Sequence, residues 1–265
     1  MKYSMDSFLT LAVLVVLCFI AFKVQFIEIH HSKSDRYFSL QQSFDRDFDW
    51  GNSQGNVHIL VVYPAEHNLT YQLGESICKG ASSFQGSLGT TVRFLPAQNC
   101  SFEIDVKEWA DAVIIGSPVI NANVDPSIQS WIEQWDLRAD LSDKVGAAFV
   151  SAGGMSAGEE LAMMNIIHSM MIFRMIIVGG ERWNYAFGAS AISGEQPFGL
   201  PEQGEPQYFP DDCYSSPDIV HQMFLDKGFG LGQRVSNIAH IIRQGSISRD
   251  SEHKTQSDTE SDRYS

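Results

Sequence analysis

Ala112–Val124 reads AVIIGSPVINANV, and the amphipathic run Asp125–Trp135 follows it directly. Ala112 to Gly116 is an apolar run without alternation, the pattern of a strand buried on both faces. Gly116-Ser117-Pro118 turns the chain, and Asp125 stands where a helix needs a side-chain acceptor for its first free amides. The stretch therefore predicts a strand, a polar loop and a helix in succession. In open parallel sheets the loop at a strand's carboxyl end is where ligands bind.

The same alternation continues on both sides. Strands are predicted at Val57–Tyr63 (VHILVVY), Thr90–Leu95, Ala112–Gly116, Val145–Ser151 and Met175–Gly179, with helices over Leu69–Ser83, Asp125–Trp135, Gly158–Phe173 and Pro217–Arg243. Strands separated by helical stretches are the signature of βαβ units. The expectation is an α/β three-layer sandwich around a five-stranded parallel sheet in the order 2-1-3-4-5. Only Pro96–Ala110 joins the second and third strands, which predicts a single turn around Lys107–Ala110 in place of a full crossover helix. Met163, Met164, Met170 and Met171 recur at helical spacing and are read as core.

A chain of 265 residues accommodates one full domain with appendages. A net charge of −14 argues against nucleic acid, because phosphate contacts require a basic face. The four cysteines, Cys18, Cys78, Cys100 and Cys213, have no CxxC or Cys/His ligand spacing, so no structural zinc is expected. No nucleophile elbow, Walker loop or HExxH occurs, which disfavours hydrolysis and phosphoryl transfer. Phe8–Phe22 (FLTLAVLVVLCFIAF) is uncharged and apolar; its length lies between a signal-peptide core of about 7–15 residues and a spanning helix of about 20. Residues 1–29 are read as a membrane anchor or a cleaved signal, 30–56 as a linker, 57–245 as the domain and 246–265 as a disordered polar tail. The expected location is membrane-associated, with secretion or a lumenal site after cleavage as the alternative. Sequons at Asn68-Leu69-Thr70 and Asn99-Cys100-Ser101 carry little weight, since the first falls inside a ligand loop.

Three loops at predicted strand ends hold the polar residues. The first is Pro64-Ala65-Glu66-His67-Asn68-Leu69-Thr70, where Asn68 and Thr70 are candidate phosphate donors and Glu66 repels an anion. The second is Ser117-Pro118-Val119-Ile120-Asn121-Ala122-Asn123-Val124. The third is Ser151-Ala152-Gly153-Gly154-Met155-Ser156-Ala157-Gly158-Glu159-Glu160. These loops, with Tyr185–Gly194 and Gly228–Ala239 after them, resemble the flavodoxin-like NAD(P)H:quinone oxidoreductases of the tryptophan-repressor-binding-protein type. Ser117, Pro118 and Asn123 match that family's second cofactor loop, whereas Ile120, Asn121 and Ala122 replace its aromatics and its glycine. Gly153, Gly154, Gly158 and Glu160 match its third loop. Only Gly180–Asn184 stands where relatives carry a longer insertion between the fifth strand and the Tyr-Gly-Ala-Ser-like signature.

The resemblance implies FMN, held by Asn68, Thr70, Ser117, Pro118, Asn123, Ser151, Gly153, Gly154 and Gly158, with NAD(P)H as co-substrate, a quinone as acceptor and a homo-oligomer as assembly. The catalytic residues stay unassigned. Trp183 and Tyr185 are placed beside the site, where a ring could stack. Two other readings remain open: a flavodoxin-like ligand- or partner-binding module without tight FMN, and a one-electron carrier.

Overall fold

The computed structural model describes residues 56–86, 88–193 and 218–261. The apolar leader, most of the linker, Cys18 and Cys213 lie outside the described residues. Seven strands and four α-helices follow in chain order: β1 (Val57–Tyr63), α1 (Asn68–Ser83), β2 (Thr90–Pro96), β3 (Ala112–Ile120), β4 (Asn123–Val124), α2 (Pro126–Glu133), β5 (Val145–Ala152), α3 (Glu159–Ile172), β6 (Ile176–Ile177), β7 (Ala189–Ile192) and α4 (Gln222–Ser261).

The parallel α/β sandwich is as expected; the count and order of strands are not. The sheet has seven strands along the path β2-β1-β3-β5-β6, with β4 paired to β3 and β7 paired to β5. Two local events account for the difference. β3 runs past Gly116 to Ile120 and folds back, so that Val119 and Ile120 pair antiparallel with Val124 and Asn123. The expected fifth strand is also divided. β6 pairs with the start of β5 at Val145 and Gly146, and β7 with its end from Phe149 to Ala152.

The link between β2 and β3 is longer than a single turn. A 3-10 turn, Ala97–Asn99, is followed by a π-helix, Phe102–Trp109. Its fold is held by the Asp105 carboxylate, which accepts from Ser101 N (2.8 Å) and Arg93 Nη1 (2.9 Å). The Arg93 guanidinium lies 4.0 Å over the Trp109 ring, and Trp109 stacks on His58 at 4.7 Å. The closing helix begins at Gln222 and continues to Ser261, through the stretch read from sequence as a disordered tail. That stretch has no proline to interrupt the helix.

Each face of the sheet carries its own apolar layer. Leu60, Val62, Val113, Ile115, Ala148 and Val150 point to the side covered by the π-helix, α2 and α3. Ile59, Val61, Ile114, Ala147 and Phe149 point to the side covered by α1 and α4. Alternation of neighbours to opposite faces is the strand period of two, and both faces being apolar is what made these runs continuous in sequence. Helices α1 and α4 meet backbone to backbone: a Cβ at Gly80 would lie 2.0 Å from Phe229 O, and one at Gly232 would lie 2.0 Å from Ile77 O. Ser76 Oγ donates to Leu225 O at 2.7 Å across the same contact. Gly228 and Gly232 thus serve close packing on α1, whereas Gly230 faces Tyr185 and Glu181.

Among the described residues no helix is long and apolar enough to cross a membrane.

Candidate functional site

The order β2-β1-β3 places a topological switch point between β1 and β3, because the chain leaves β1 toward one edge and returns at β3 to build toward the other. In open parallel sheets such a point is where a crevice forms, at the carboxyl ends of the strands. The three polar loops follow β1, β3 and β5, so all of them lie at that end.

Loop one delivers the chain from Tyr63 to the first turn of α1. His67 is the N-cap, with φ −119° and ψ 97°; no side chain caps this terminus and no acid lies in its first turn. The first amides of this 16-residue helix therefore have no side-chain cap and no acid of their own turn beside them. The side chains expected to help are engaged elsewhere. Asn68 Nδ2 donates to Asp218 O at 2.9 Å, and Gln72 Nε2 joins it there at 2.7 Å. Thr70 is fully buried, with its hydroxyl 2.6 Å from Ser151 Oγ. Asn68 and Thr70 thus fasten loop one to its neighbours, and the donors that remain are backbone amides. Glu66 is exposed.

Loop two is a hairpin tip. Asn121 and Ala122 join the paired residues Ile120 and Asn123, with φ of 50° and 61°. Two consecutive positive φ values make the mirror-image turn that suits the twist of a two-residue hairpin, for which Asn-Gly is the favoured pair. This explains the family glycine that Ala122 replaces. Ser117 is fully buried; its Oγ accepts from Asp125 N at 2.8 Å and donates to Pro118 O at 2.7 Å. Pro118 is buried opposite Ser151 in the β3–β5 register. Asn123 is exposed and its Nδ2 donates to Asn121 O at 3.0 Å, bracing the turn.

Loop three packs on loop two. Gly158 has φ +104°, and a Cβ on it would lie 2.5 Å from Ala122 Cα. Gly154 is buried and Gly153 half-buried. Glu159 turns back on its own loop, where its two carboxylate oxygens accept from Ser156 N and Ala157 N, each at 3.0 Å. The N-terminus of α3 thus carries its own anion, unlike that of α1.

The structure therefore brings Thr70, Ser151 and Pro118 together at the floor and Ala122 against Gly158 above. It turns Asn68 toward Asp218 and leaves Asn123 at the rim. Two residues outside the expected set join the loops: His67 Nε2 lies 3.2 Å from Asp125 Oδ2. Asp125 is the N-cap of α2, accepting from Ser127 N at 2.7 Å. Its place at a helix start was readable, but its reach to His67 was not, because 58 positions separate them in the chain. Trp183 and Tyr185 lie on a 3-10 turn between β6 and β7. Trp183 is 90% exposed, and Tyr185 Oη donates to Glu181 Oε2 at 3.3 Å.

Neither described cysteine suits a nucleophile. Burial pushes the Cys78 and Cys100 thiols up, away from the reactive thiolate, with the Glu75 and Asp105 carboxylates adding in the same direction. Among the described residues no cluster of His, Cys, Asp or Glu could hold a metal ion.

The family model for NADPH-dependent FMN reductase matches residues 105–189, from within the π-helix to the first residue of β7. A flavodoxin of Aquifex aeolicus is 30% identical over 144 residues, covering 52% of this chain and 75% of its own. An NAD(P)H dehydrogenase (quinone) of Azorhizobium caulinodans is 32% identical over 162 residues, covering 53% of this chain and 80% of its own. A solved flavodoxin from the domain Archaea covers 69% of this chain and 99% of its own at 18% identity and a TM-score of 0.47.

Proposed function

The chain belongs to the flavodoxin-like NAD(P)H:quinone oxidoreductases as a divergent member, and from that premise we propose that it holds FMN at the crevice between β1 and β3 and passes electrons from NAD(P)H to a quinone-type acceptor. The observation that carries this reading is the open N-terminus of α1. A helix start without a capping side chain or an acid offers several amides and a partial positive charge, which suits a phosphate. The neighbouring terminus of α3 is already closed by Glu159, so the two ends differ in what they can accept.

The residues present fit FMN through backbone and aliphatic contact. The amides of Asn68, Leu69 and Thr70 would hold the phosphate. Ile120 and Met155, on loops two and three, would offer aliphatic carbon to the ring in place of the family's aromatics. When bound, FMN would supply the two-electron redox chemistry that links NAD(P)H to the acceptor. The chain's part is to bind and orient. Ser117 fixes the path of loop two by bridging Asp125 N and Pro118 O. The Thr70–Ser151 bond ties loop one to the end of β5, and Gly158 lets loop three close on Ala122. The uncharged run Phe8–Phe22 supports placing the activity at a membrane, where a lipophilic quinone partitions.

The test is titration of the full chain, in mild detergent, with FMN followed by fluorescence quenching, then anaerobic addition of NADH or NADPH followed by flavin bleaching. Binding at micromolar concentrations with bleaching supports the reductase. Absence of binding refutes it and leaves a flavin-free binding module. Binding without bleaching by either nucleotide points to one-electron carriage. Glu66→Gly is expected to tighten FMN modestly, because an exposed carboxylate beside the start of α1 repels a phosphate and solvent screens most of that repulsion.

A further inference from the structure

We propose that the β6 edge of the sheet docks on a lipid surface, with Trp183 and Phe187 entering the interface and Arg182 meeting anionic headgroups. The inference rests on the reading of residues 1–29 as a segment that brings the chain to a membrane, and not on FMN. Strand β6 ends the path β2-β1-β3-β5-β6, and β7 fills the rest of the same side of β5. The chain that builds this edge leaves Met171, Ile172 and Ile176 exposed, with Phe187 at 47% and Trp183 at 90%. Large apolar side chains gathered on one edge mark a contact surface.

The aromatic pair is presented by a pinned turn. Gly180 N donates to Ala186 O at 3.2 Å, Gly188 N to Tyr185 O at 3.1 Å and Tyr185 Oη to Glu181 Oε2 at 3.3 Å. A Cβ at Gly179 would lie 1.9 Å from Ala186 O, so the two limbs of the turn meet backbone to backbone. The turn therefore holds the indole outward, and an apolar ring with one polar N–H suits the headgroup level of a bilayer. Charge favours lipid as the occupant. From Leu161 to Ser193 the charged residues are Arg174, Glu181 and Arg182, two cations against one anion in a chain of net −14. Arg174 is paired with Asp140 at 3.0 Å, whereas Arg182 is exposed beside Trp183. Anionic headgroups repel an acidic surface, so the apolar, near-neutral edge approaches them with least repulsion. Residues 30–56, read from sequence as a linker, separate the leader from β1, so the leader alone does not set which side of the domain faces the bilayer. A second contact on the tethered domain forms at high effective concentration and sets it. Because β7 pairs with Phe149–Ala152, the end of β5 from which loop three leaves, docking by this edge puts the candidate site beside the bilayer.

The experiment uses the full-length protein reconstituted in vesicles of phosphatidylcholine and phosphatidylglycerol in equal parts, with flotation to report whether it is bound. Replacing the phosphatidylcholine by its dibrominated form should quench the tryptophan emission. Trp183→Phe should remove most of that quenching, because Trp131 and Trp135 are buried and Trp109 is half-buried. Trp50, in the linker, is common to wild type and variants and drops out of the comparison. Arg182→Glu, which keeps the indole, should lower the docked-to-free ratio about tenfold, so that its quenching falls toward that of Trp183→Phe. Thermal melts of both variants report whether the fold is intact. Protein that floats and is quenched equally with and without Trp183 overturns the inference. So does a dimer, seen by sedimentation in detergent, that Trp183→Phe dissociates while brominated lipid leaves Trp183 unquenched; the edge would then join two copies of the chain. Quenching of Trp183 that Arg182→Glu leaves unchanged overturns the headgroup contact. Protein that does not float overturns the reading of the leader, and the inference falls with it, while FMN titration still decides the FMN reading separately.

Discussion

Ala122→Gly should make this protein more stable, although it deletes a methyl group from a packed turn. Ala122 has φ 61° in the hairpin tip, and a residue with a Cβ costs about 1–2 kcal/mol in that left-handed region. Glycine relieves this but gives up more freedom on folding, roughly 0.5–1 kcal/mol. The methyl lies against Gly158, on a half-buried residue, so little burial is lost with it. The net expectation is a gain of about 0.5–1 kcal/mol, or about 1–4 °C in Tm for a domain of roughly 200 residues. Differential scanning calorimetry of the apoprotein, with urea midpoints as a second measure, reads it directly. Ala122→Val is the opposite probe, since a β-branched residue at positive φ is a severe outlier and should lower Tm. A lower Tm for Ala122→Gly, or a valine variant as stable as wild type, would refute the two-residue turn. Because the family glycine stands at this position, Ala122→Gly should also tighten FMN, through the same release of the loop.

Gly158→Ala should be far more damaging: it places a Cβ 2.5 Å from Ala122 Cα at φ +104°, so backbone strain and overpacking add to about 2–5 kcal/mol, visible as a lower urea midpoint. Thr70→Val should cost about 1–3 kcal/mol, because it leaves the buried Ser151 hydroxyl without its 2.6 Å partner; Ser151→Ala combined with it should recover part of that loss in a double-mutant cycle. His240 is buried on α4 with Nε2 2.9 Å from Thr90 Oγ1, and burial lowers its affinity for a proton, against a smaller opposing pull from Asp111. The unfolded chain then binds that proton more readily than the folded one, so stability is full above the ordinary histidine range near pH 6.5 and is lost as pH falls from there toward the lower folded value. Tm measured from pH 7.5 to 5 should therefore drop more steeply in wild type than in His240→Gln, and parallel slopes would contradict the assignment.

How much of this was legible in the sequence follows from which interactions are local. Val57–Tyr63 and Val145–Ser151 were readable as buried strands because both sheet faces are covered, which leaves only His58 and Ser151 as polar positions in otherwise apolar runs. The edge was not readable. Met175–Gly179 looks like one apolar strand, yet only Ile176 and Ile177 pair there, and the chain leaves and returns at Ala189 to complete the ladder along β5. Pairing with a neighbour decides such a division, and no composition within the segment records it. The π-helix was missed for a similar reason: Asp105 organises it by bonding Arg93, a residue on another strand.

At the site the same rule separates position from role. The three polar segments fall at the carboxyl ends of β1, β3 and β5, because strand and helix periodicities are local, but the second was read as a loop where Ser117–Ile120 continues β3 and only Asn121 and Ala122 turn the chain. The roles of Asn68, Thr70 and Ser117 were not legible, because a polar side chain in a ligand loop has the same residue type whether it faces a ligand or ties the loop down. Here the ties win: Asn68 to Asp218 O, Thr70 to Ser151 and Ser117 to Asp125 N each satisfy a polar group within the protein. A hydroxyl used in this way supports binding indirectly, by fixing where the backbone amides point. The amides at the start of α1, which no side chain caps, are thus set in place by side-chain ties in the loops beside them.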